Sequence, residues 1–485
     1  MRNTGVRERN AALQLQKQVG DQWFHHLYAS YFHTNLGVLR GSHIGNLTDL
    51  TQAFVREVPF FTSNEYRNDL SSPRQLVTHS LLKYNSSYYP QPDKAWHFTY
   101  GGQLNRRQEF DVRRGDRSDI PALDLQLISH FVEIRRTVES RPTHTQSGLQ
   151  YRFSGNSNQP GTGILPLIPD YNQHQAGIYH IWSNNQGSWH WQTGLRYDLL
   201  AMNVWSISQD LPRRIIRRDH LFHRASWGSG IERETGKWGV FRLNTGITTR
   251  APEVNELYSA GLHQGVSGIE EGNPQLKQEA SLKTIVSQTF NWRSRWFIEA
   301  SLYAQWVQNF IYLQPQDDFR LTIRGAFPVY LYEQAHARIT GADITAKYVF
   351  NDHLSWLNRW AIVRGWNRAA DIPLPLMPPD QLNSTFTWTL AGNERWEAPE
   401  ISITGSYTLE QTRLLATQDF APPPGSYLLW GATVHTALKL GHNTLHLGLQ
   451  GSNLLNRRYR NYLNRLRYYA DEEGTDVRMN VRVEF

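Results

Sequence analysis

Apolar and polar residues alternate along this chain in long runs. In 189–199, Trp189, Trp191, Leu195, Tyr197 and Leu199 share one parity; His190, Gln192, Gly194, Arg196 and Asp198 share the other. Trp296, Ile298, Ala300, Leu302, Ala304 and Trp306 oppose Glu299, Ser301 and Gln305. Leu428, Trp430, Ala432, Val434, Leu438 and Leu440 oppose Gly431, Thr433, His435 and Lys439, and Leu445, Leu447 and Leu449 oppose His446, Gly448 and Gln450. Successive strand side chains point to opposite faces, so each run makes a ribbon with one apolar and one polar side. Soluble strands average about 5–6 residues, whereas a tilted strand crossing a bilayer needs about 9–11. Many of these runs reach the longer figure.

The pattern predicts strands at 10–17, 22–38, 74–88, 94–108, 122–138, 147–154, 174–184, 188–200, 219–232, 237–249, 279–292, 296–308, 335–350, 354–366, 382–392, 400–412, 427–440, 444–453 and 473–485. The links alternate. Those at 18–21, 89–93, 139–146, 185–187, 233–236, 293–295, 351–353, 393–399 and 441–443 are short. Those at 39–73, 109–121, 155–173, 201–218, 250–278, 309–334, 367–381, 413–426 and 454–472 are long. Short periplasmic turns and long extracellular loops produce this alternation. A soluble sandwich or propeller has no reason to gather its long loops at one end. The expected fold is all-β, a transmembrane antiparallel barrel of about 19 strands.

The closing run from Val477 is apolar at odd positions and ends on Phe485, an aromatic expected at the inner interface. That strand runs from outside to periplasm, and counting back, so does the first. An odd number of strands is then expected upstream, and three more would make about 22, the size of plugged transporters. Residues Met1 to Gln18 contain no apolar core of a secretory signal. Residues 1–485 are therefore read as one barrel domain, truncated at its front.

Composition narrows the classes. Apolar residues make up 39%, yet there are 17 Trp and 23 Tyr, side chains that suit a membrane–water boundary. No window approaches the roughly 18 apolar residues of a spanning helix. Cysteine is absent, so thiolate sites and disulfides are excluded. The net charge of +7 is scattered and favours nucleic-acid binding little. No Walker loop, H-E-x-x-H, G-x-S-x-G or dinucleotide glycine run occurs, so neither an enzyme nor a cofactor is expected.

Two stretches resemble a known family. The first is Thr249-Arg250-Ala251-Pro252-Glu253-Val254-Asn255-Glu256-Leu257-Tyr258, followed by Glu270-Glu271-Gly272-Asn273-Pro274-Gln275-Leu276-Lys277-Gln278-Glu279. It is similar to the "FRAP … NPNL" region of TonB-dependent receptors, with Thr249 where the family prefers an aromatic. The second, Asn453-Leu454-Leu455-Asn456-Arg457-Arg458-Tyr459 and the strand ending at Phe485, resembles their C-terminal motif. The resemblance implies a 22-stranded barrel around an N-terminal plug, a coupling box that touches the TonB complex, and uptake of a scarce nutrient as a small-molecule metal chelate. Ferric siderophore and haem come first, with zinc and cobalamin as alternatives. It implies an outer-membrane location among lipid and lipopolysaccharide. Plug and coupling box are not seen in these residues.

Ligand candidates follow. His263 lies between the halves of the first motif, where the resemblance implies an axial iron ligand in haem receptors; a loop histidine bonded to backbone is the bland reading. Glu256, Glu270 and Glu271 flank it and offer oxygens for zinc. In 39–73, Asn46 and Asp49 predict a helix N-terminus, with Leu47, Leu50, Phe54, Val55 and Val58 as its packed stripe and His43 just ahead as a second contact candidate. Arg457, Arg458, Arg460, Arg465 and Arg467 interleave with Tyr459, Tyr462, Tyr468 and Tyr469. That pattern suits single-stranded nucleic acid, but in such a loop it points to lipopolysaccharide, the plug, an anionic ligand or plain scaffold. A passive porin and a surface adhesin remain as other functional classes.

Overall fold

The computed structural model describes residues 3–60, 62, 68, 70–113, 115–208 and 210–484. Its strands are β1 (Val6–Val19), β2 (Trp23–Gly37), β3 (Arg74–Gln91), β4 (Lys94–Phe110), β5 (Leu123–Ser140), β6 (Thr143–Asn158), β7 (Asp170–Gln186) and β8 (Trp189–Ile207). Then come β9 (Ile215–Glu234), β10 (Val240–Arg250), β11 (Ala260–His263), β12 (Gly268–Glu271), β13 (Glu279–Trp292), β14 (Trp296–Thr322) and β15 (Gly325–Asn351). The series closes with β16 (Leu354–Asn367), β17 (Ile372–Pro373), β18 (Gln381–Thr389), β19 (Glu400–Thr408), β20 (Tyr427–Leu440), β21 (Asn443–Ser452) and β22 (Asp476–Glu484). Two helices interrupt it, α1 (Leu47–Val55) and α2 (Val254–Tyr258).

All 22 strands join one sheet. Nineteen long ones form an antiparallel meander; β11, β12 and β17 are short and belong to the outer loops. Among the described residues no ladder joins β1 to β22. Phe485 lies outside the described residues, so its expected place at the inner interface is not seen. The meander curls: β12 pairs in parallel with β15 while His263, at the end of β11, reaches Arg107 of β4, which is nine places from β15 along the meander.

The sheet alternates as the sequence pattern requires. Along β7 and β9 exposure switches at almost every residue. Leu195 (64% exposed) is opposite Trp227 on β9, and Leu149 is opposite Ile178, all on the outward face. The other face carries polar networks. Glu133 accepts from Tyr179 Oη at 2.8 Å and Gln150 Nε2 at 2.6 Å, and Arg196 pairs with Asp198. An apolar skin over a hydrogen-bonded interior is the order a bilayer imposes. No helix among the described residues is long and apolar enough to cross a membrane.

The inner turns are tight, with Gly20, Gly187 and Gly441 at positive φ in three of them. The outer ends depart from expectation in one place. The link at 309–334 is no loop: β14 and β15, strands of 27 residues each, continue through it as an arm meeting at 323–324, with register shifts after Val307 and Pro315. Such bulges bend a ribbon. Strands expected to reach 392 and 412 stop at Thr389 and Thr408.

Buried hydrophobic residues gather at the outer end, where loops must build a core of their own. Helix α1 forms where Asn46 predicts, its side chain accepting the Asp49 N–H at 2.8 Å. Its packed face is Leu50, Ala53 and Phe54; the expected Leu47 and Val55, its two end residues, are exposed, and the expected Val58 is exposed beyond the helix, which ends where the chain turns extended at Arg56. That face meets Leu39, Ile44, Ala326, Tyr468 and Tyr469.

Candidate functional site

The outer mouth is built from the long loops between strands, and the family-like motifs are its joints. Arg250, last residue of β10, donates through Nη1 to both Glu256 oxygens at 3.0 and 2.8 Å and through Nε to Glu279 at 2.8 Å. Glu256 also accepts the Glu253 N–H at 2.7 Å, completing the capping box of α2. Both oxygens of Glu256, a ligand candidate from sequence, are thus engaged within the loop. Ala251, Pro252 and Leu257 are buried beside Leu200, Met202 and Val204 of β8. Gly272 lies against the backbone of Leu257 to Ser259, where an added Cβ would come within 2.4 Å of the Tyr258 nitrogen. Asn273 N bonds Glu256 O at 2.8 Å, Pro274 is exposed at the turn, and Leu276 is buried in the same cluster.

From this joint, β11 and β12 form a short strap. His263 Nδ1 lies 3.1 Å from Glu270 Oε1, and its Nε2 lies 3.4 Å from Arg107 Nη2. Arg465, from the loop before β22, donates to the same Glu270 oxygen at 2.7 Å and stacks over Tyr330 of β15 at 4.1 Å. Arg107 also pairs with buried Glu109. Burial raises the Glu270 carboxyl, but hydrogen bonds and charge from His263 and Arg465 outweigh it and hold the group below its usual range. The structure brings His263 and Glu270 together; Glu271 turns away to pair with Arg320 at 2.5 Å. No group of three or more His, Asp or Glu among the described residues is placed to hold a metal ion.

His43 stands elsewhere, its Nδ1 3.2 Å from Asp111, which also faces Arg324 at 3.7 Å. Arg324 sits at the tip of the β14–β15 arm, which also bonds the α1 loop through Ala326 N to Ile44 O at 2.9 Å. The arm therefore lies over the mouth and meets the loops that follow β2 and β4.

The Arg/Tyr run of the last loop is internal scaffold for the most part. Arg467 is buried, paired with Asp419, and sandwiched between Tyr462 and Tyr468 at 4.8 and 4.4 Å. Burial pushes the Tyr462 phenol up to about 12 and raises Tyr468 and Tyr469 as well. Asn453, at φ +46, accepts the Arg457 N–H and donates to Glu473 O, closing this loop's base. Leu454 N bonds Trp430 O, and the Tyr459 ring packs on Tyr427 at 4.7 Å. Arg457 and Arg458 stay exposed.

Beside the strap is a cavity of about 610 Å³, open to the outside at Arg213. Its wall is the 159–167 loop, Leu262 adds apolar surface, and Trp205, Tyr258, Arg213, Arg324 and Asp170 supply rings and charges. The volume falls in the ordinary range for small-molecule sites. Sequence reading missed Trp205, Arg213 and Arg324. Trp205 and Arg213 fall in the link read as 201–218 and Arg324 in 309–334, and only the run Gln159-Pro160-Gly161-Thr162-Gly163 signalled a shaped loop there.

The sequence profile described as "TonB dependent receptor-like, beta-barrel" matches residues 4–454. No curated protein matches the chain in sequence. Among solved structures it is similar to the copper transporter OprC (14% identical, TM-score 0.74, covering 99% of this chain and 72% of that one). The unliganded ferric citrate transporter FecA is 12% identical, with TM-score 0.70 and 99% and 70% covered. The FrpB iron transporter from Neisseria meningitidis is 13% identical, with TM-score 0.65 and 98% and 71% covered. At these identities the likeness concerns the fold.

Proposed function

This chain belongs to the TonB-dependent receptor-like β-barrel family, and on that premise we propose that it is the barrel of an outer-membrane receptor importing an anionic metal chelate, an iron complex first of all. The observation that carries the reading is the 610 Å³ cavity beside the strap, with two arginines and two aromatic rings in its lining. A passive pore needs no such site, whereas a receptor binds its ligand before releasing it inward. The Arg213 and Arg324 guanidinia suit the carboxylates or phenolates of a chelator, and Trp205 and Tyr258 suit its rings. The iron and copper transporters of like fold favour the same class of cargo.

In this reading the TonB complex supplies the energy, and the plug and TonB-contacting segment are assigned to polypeptide ahead of the barrel. His263 and Glu270 close the mouth beside the ligand and act on the strap; His43 does the same for the β14–β15 arm. Glu256 acts through Arg250 on the motif joint.

Whole-cell uptake tests the proposal. Cells carrying the complete gene should accumulate radiolabelled iron from a ferric siderophore or haem, and a deletion strain should lose that uptake. Unchanged uptake of ferric siderophore, haem and zinc in the deletion strain would remove the function. Arg213→Ala with Arg324→Ala should raise the concentration needed for half-maximal uptake, while His263→Ala should alter the rate.

A further inference from the structure

We propose that the outward face of β4 to β9 carries a binding ledge for phosphorylated lipid A, made of three tyrosine–histidine pairs. This rests on the outer-membrane reading above. Tyr100 Oη lies 3.0 Å from His130 Nδ1, Tyr151 Oη 2.8 Å from His174 Nδ1, and Tyr197 Oη 2.6 Å from His223 Nδ1. In each pair the tyrosine comes from a strand running outward and the histidine from its inward-running neighbour. The rings continue between pairs, since Phe153 stacks on His130 at 6.3 Å and meets His174 at 5.1 Å.

These residues share the parity of Leu149, Ile178 and Leu195, so they face the bilayer and not the lumen. Their height follows from the strands. His130, His174 and His223 stand ten to twelve residues above the inner ends of β5, β7 and β9. At roughly 2.5 Å of height per residue in a tilted strand, that is about 25–30 Å, near the top of an apolar band about 25 Å tall that starts just above the turns. The inner edge of the band is marked by Trp96, Trp182 and Trp191, exposed beside the turns. Above the histidines comes one more apolar row, with Leu104, Ile128, Leu199 and Leu221 exposed, and then the same face turns charged, with Arg106–Asp124 at 2.8 Å and Arg217–Asp219 at 3.0 Å. The pairs stand just under the boundary between acyl chains and headgroups.

A phenol that donates to Nδ1 leaves Nε2–H as a donor aimed at the lipid. Buried in hydrocarbon that donor would cost several kcal/mol; at the boundary it meets phosphate oxygens. Below the ledge runs an apolar groove of about 850 Å³, lined by Ile134, Leu149, Ile178, Leu195, Trp227 and Ile247, sized for acyl chains. Histidines on β5 and β7 are two strands, about 10 Å, apart. A diphosphorylated disaccharide engages two such imidazoles together, and a glycerophospholipid offers one phosphate.

The test uses the full chain folded in detergent, titrated with diphosphoryl lipid A, dephosphorylated lipid A or phosphatidylglycerol, and read by native mass spectrometry. Wild type should hold diphosphoryl lipid A at least about tenfold tighter than the other two, the scale of one or two charge-assisted hydrogen bonds. H130L/H174L/H223L should erase that preference, and the inward-facing H435L should keep it. Equal binding of all three lipids by wild type, or an undiminished preference in the triple variant, would overturn the ledge. Should the leucine variant fail to fold, Y100F/Y151F/Y197F must lower the preference, and no change there overturns it equally. Detergent-dependent folding of wild type is scored first by gel mobility with and without heating. A wild type that is monodisperse without detergent sinks the barrel reading itself, separately from the ledge.

Discussion

Arg465 and His263 hold the same oxygen: Glu270 Oε1 takes Arg465 at 2.7 Å and His263 at 3.1 Å, joining segments 195 residues apart. The ion pair ties the strap between β10 and β13 to the loop before β22, with little water around any of the three groups. A buried pair broken on one side leaves an uncompensated charge, which makes this contact a strong local fastening.

Glu270→Gln keeps the shape and removes the charge. Strap opening should become easier by about 3 kcal/mol, seen as roughly a 100-fold rise in amide exchange over 259–272 with the barrel strands unaffected. Unchanged exchange in the strap would show that the fastening lies elsewhere.

Acidification should do the same. Glu270 has a folded pKa held below its unfolded one by His263 and Arg465. Its stabilising contribution is therefore complete above the ordinary carboxylate range and is lost as pH falls through that range toward the depressed folded value. Strap protection factors, taken relative to the intrinsic exchange rate at each pH, should fall in acid for wild type and stay level for Glu270→Gln; parallel curves for the two would contradict this assignment.

Arg250→Ala should loosen the motif joint by about 1–3 kcal/mol, discounted because the guanidinium is part exposed. It leaves Glu256 and Glu279 facing each other without their shared cation. Faster protease cleavage within 250–279 is the expected readout, and Arg250→Lys should rescue only part of it, since one ammonium cannot serve three oxygens of two carboxylates as a fork does.

Phe54→Ala removes a ring that meets Phe319, Phe420, Tyr468 and Tyr469 at 5.6, 5.9, 5.0 and 6.1 Å. The loop core should lose about 3–5 kcal/mol. Proteolysis of 39–60 and the 409–426 loop should then accelerate together. Acceleration in one segment alone would mean that the cluster is not a unit.

Charge on the outer skin should be far costlier than charge in the lumen. Leu195→Arg, near mid-band, should cost about 2–4 kcal/mol in folding into lipid vesicles, and Gln192→Arg, on the opposite face, close to nothing. Equal costs would count against the inside–outside assignment of β8.

Much of this was legible in the residues. Leu195, Tyr197 and Leu199 face one way because a strand repeats every two residues, a rule that needs no knowledge of neighbours. Nineteen strands, the short inner turns and helix α1 followed from that period and from one cap, Asn46. The β14–β15 arm did not follow, because 326–332 is apolar at both parities and shows no alternation, while Pro315 and the Gln316-Asp317-Asp318 run before Phe319 read as a loop; its pairing from Phe310 to Gly325 comes from the opposite ribbon.

The site shows the same division. Sequence by itself determined the outward-facing parity, the family joints around Arg250 and Asn453, and the presence of His263 and Glu270 in one loop. Only the tertiary structure decided that Glu256 serves Arg250, that Glu270 is gripped by Arg465, and that Trp205, Arg213 and Arg324 share a cavity. Local periodicity is written into neighbouring residues, whereas contacts across the mouth arise when the meander curls and brings together loops that the chain keeps hundreds of residues apart.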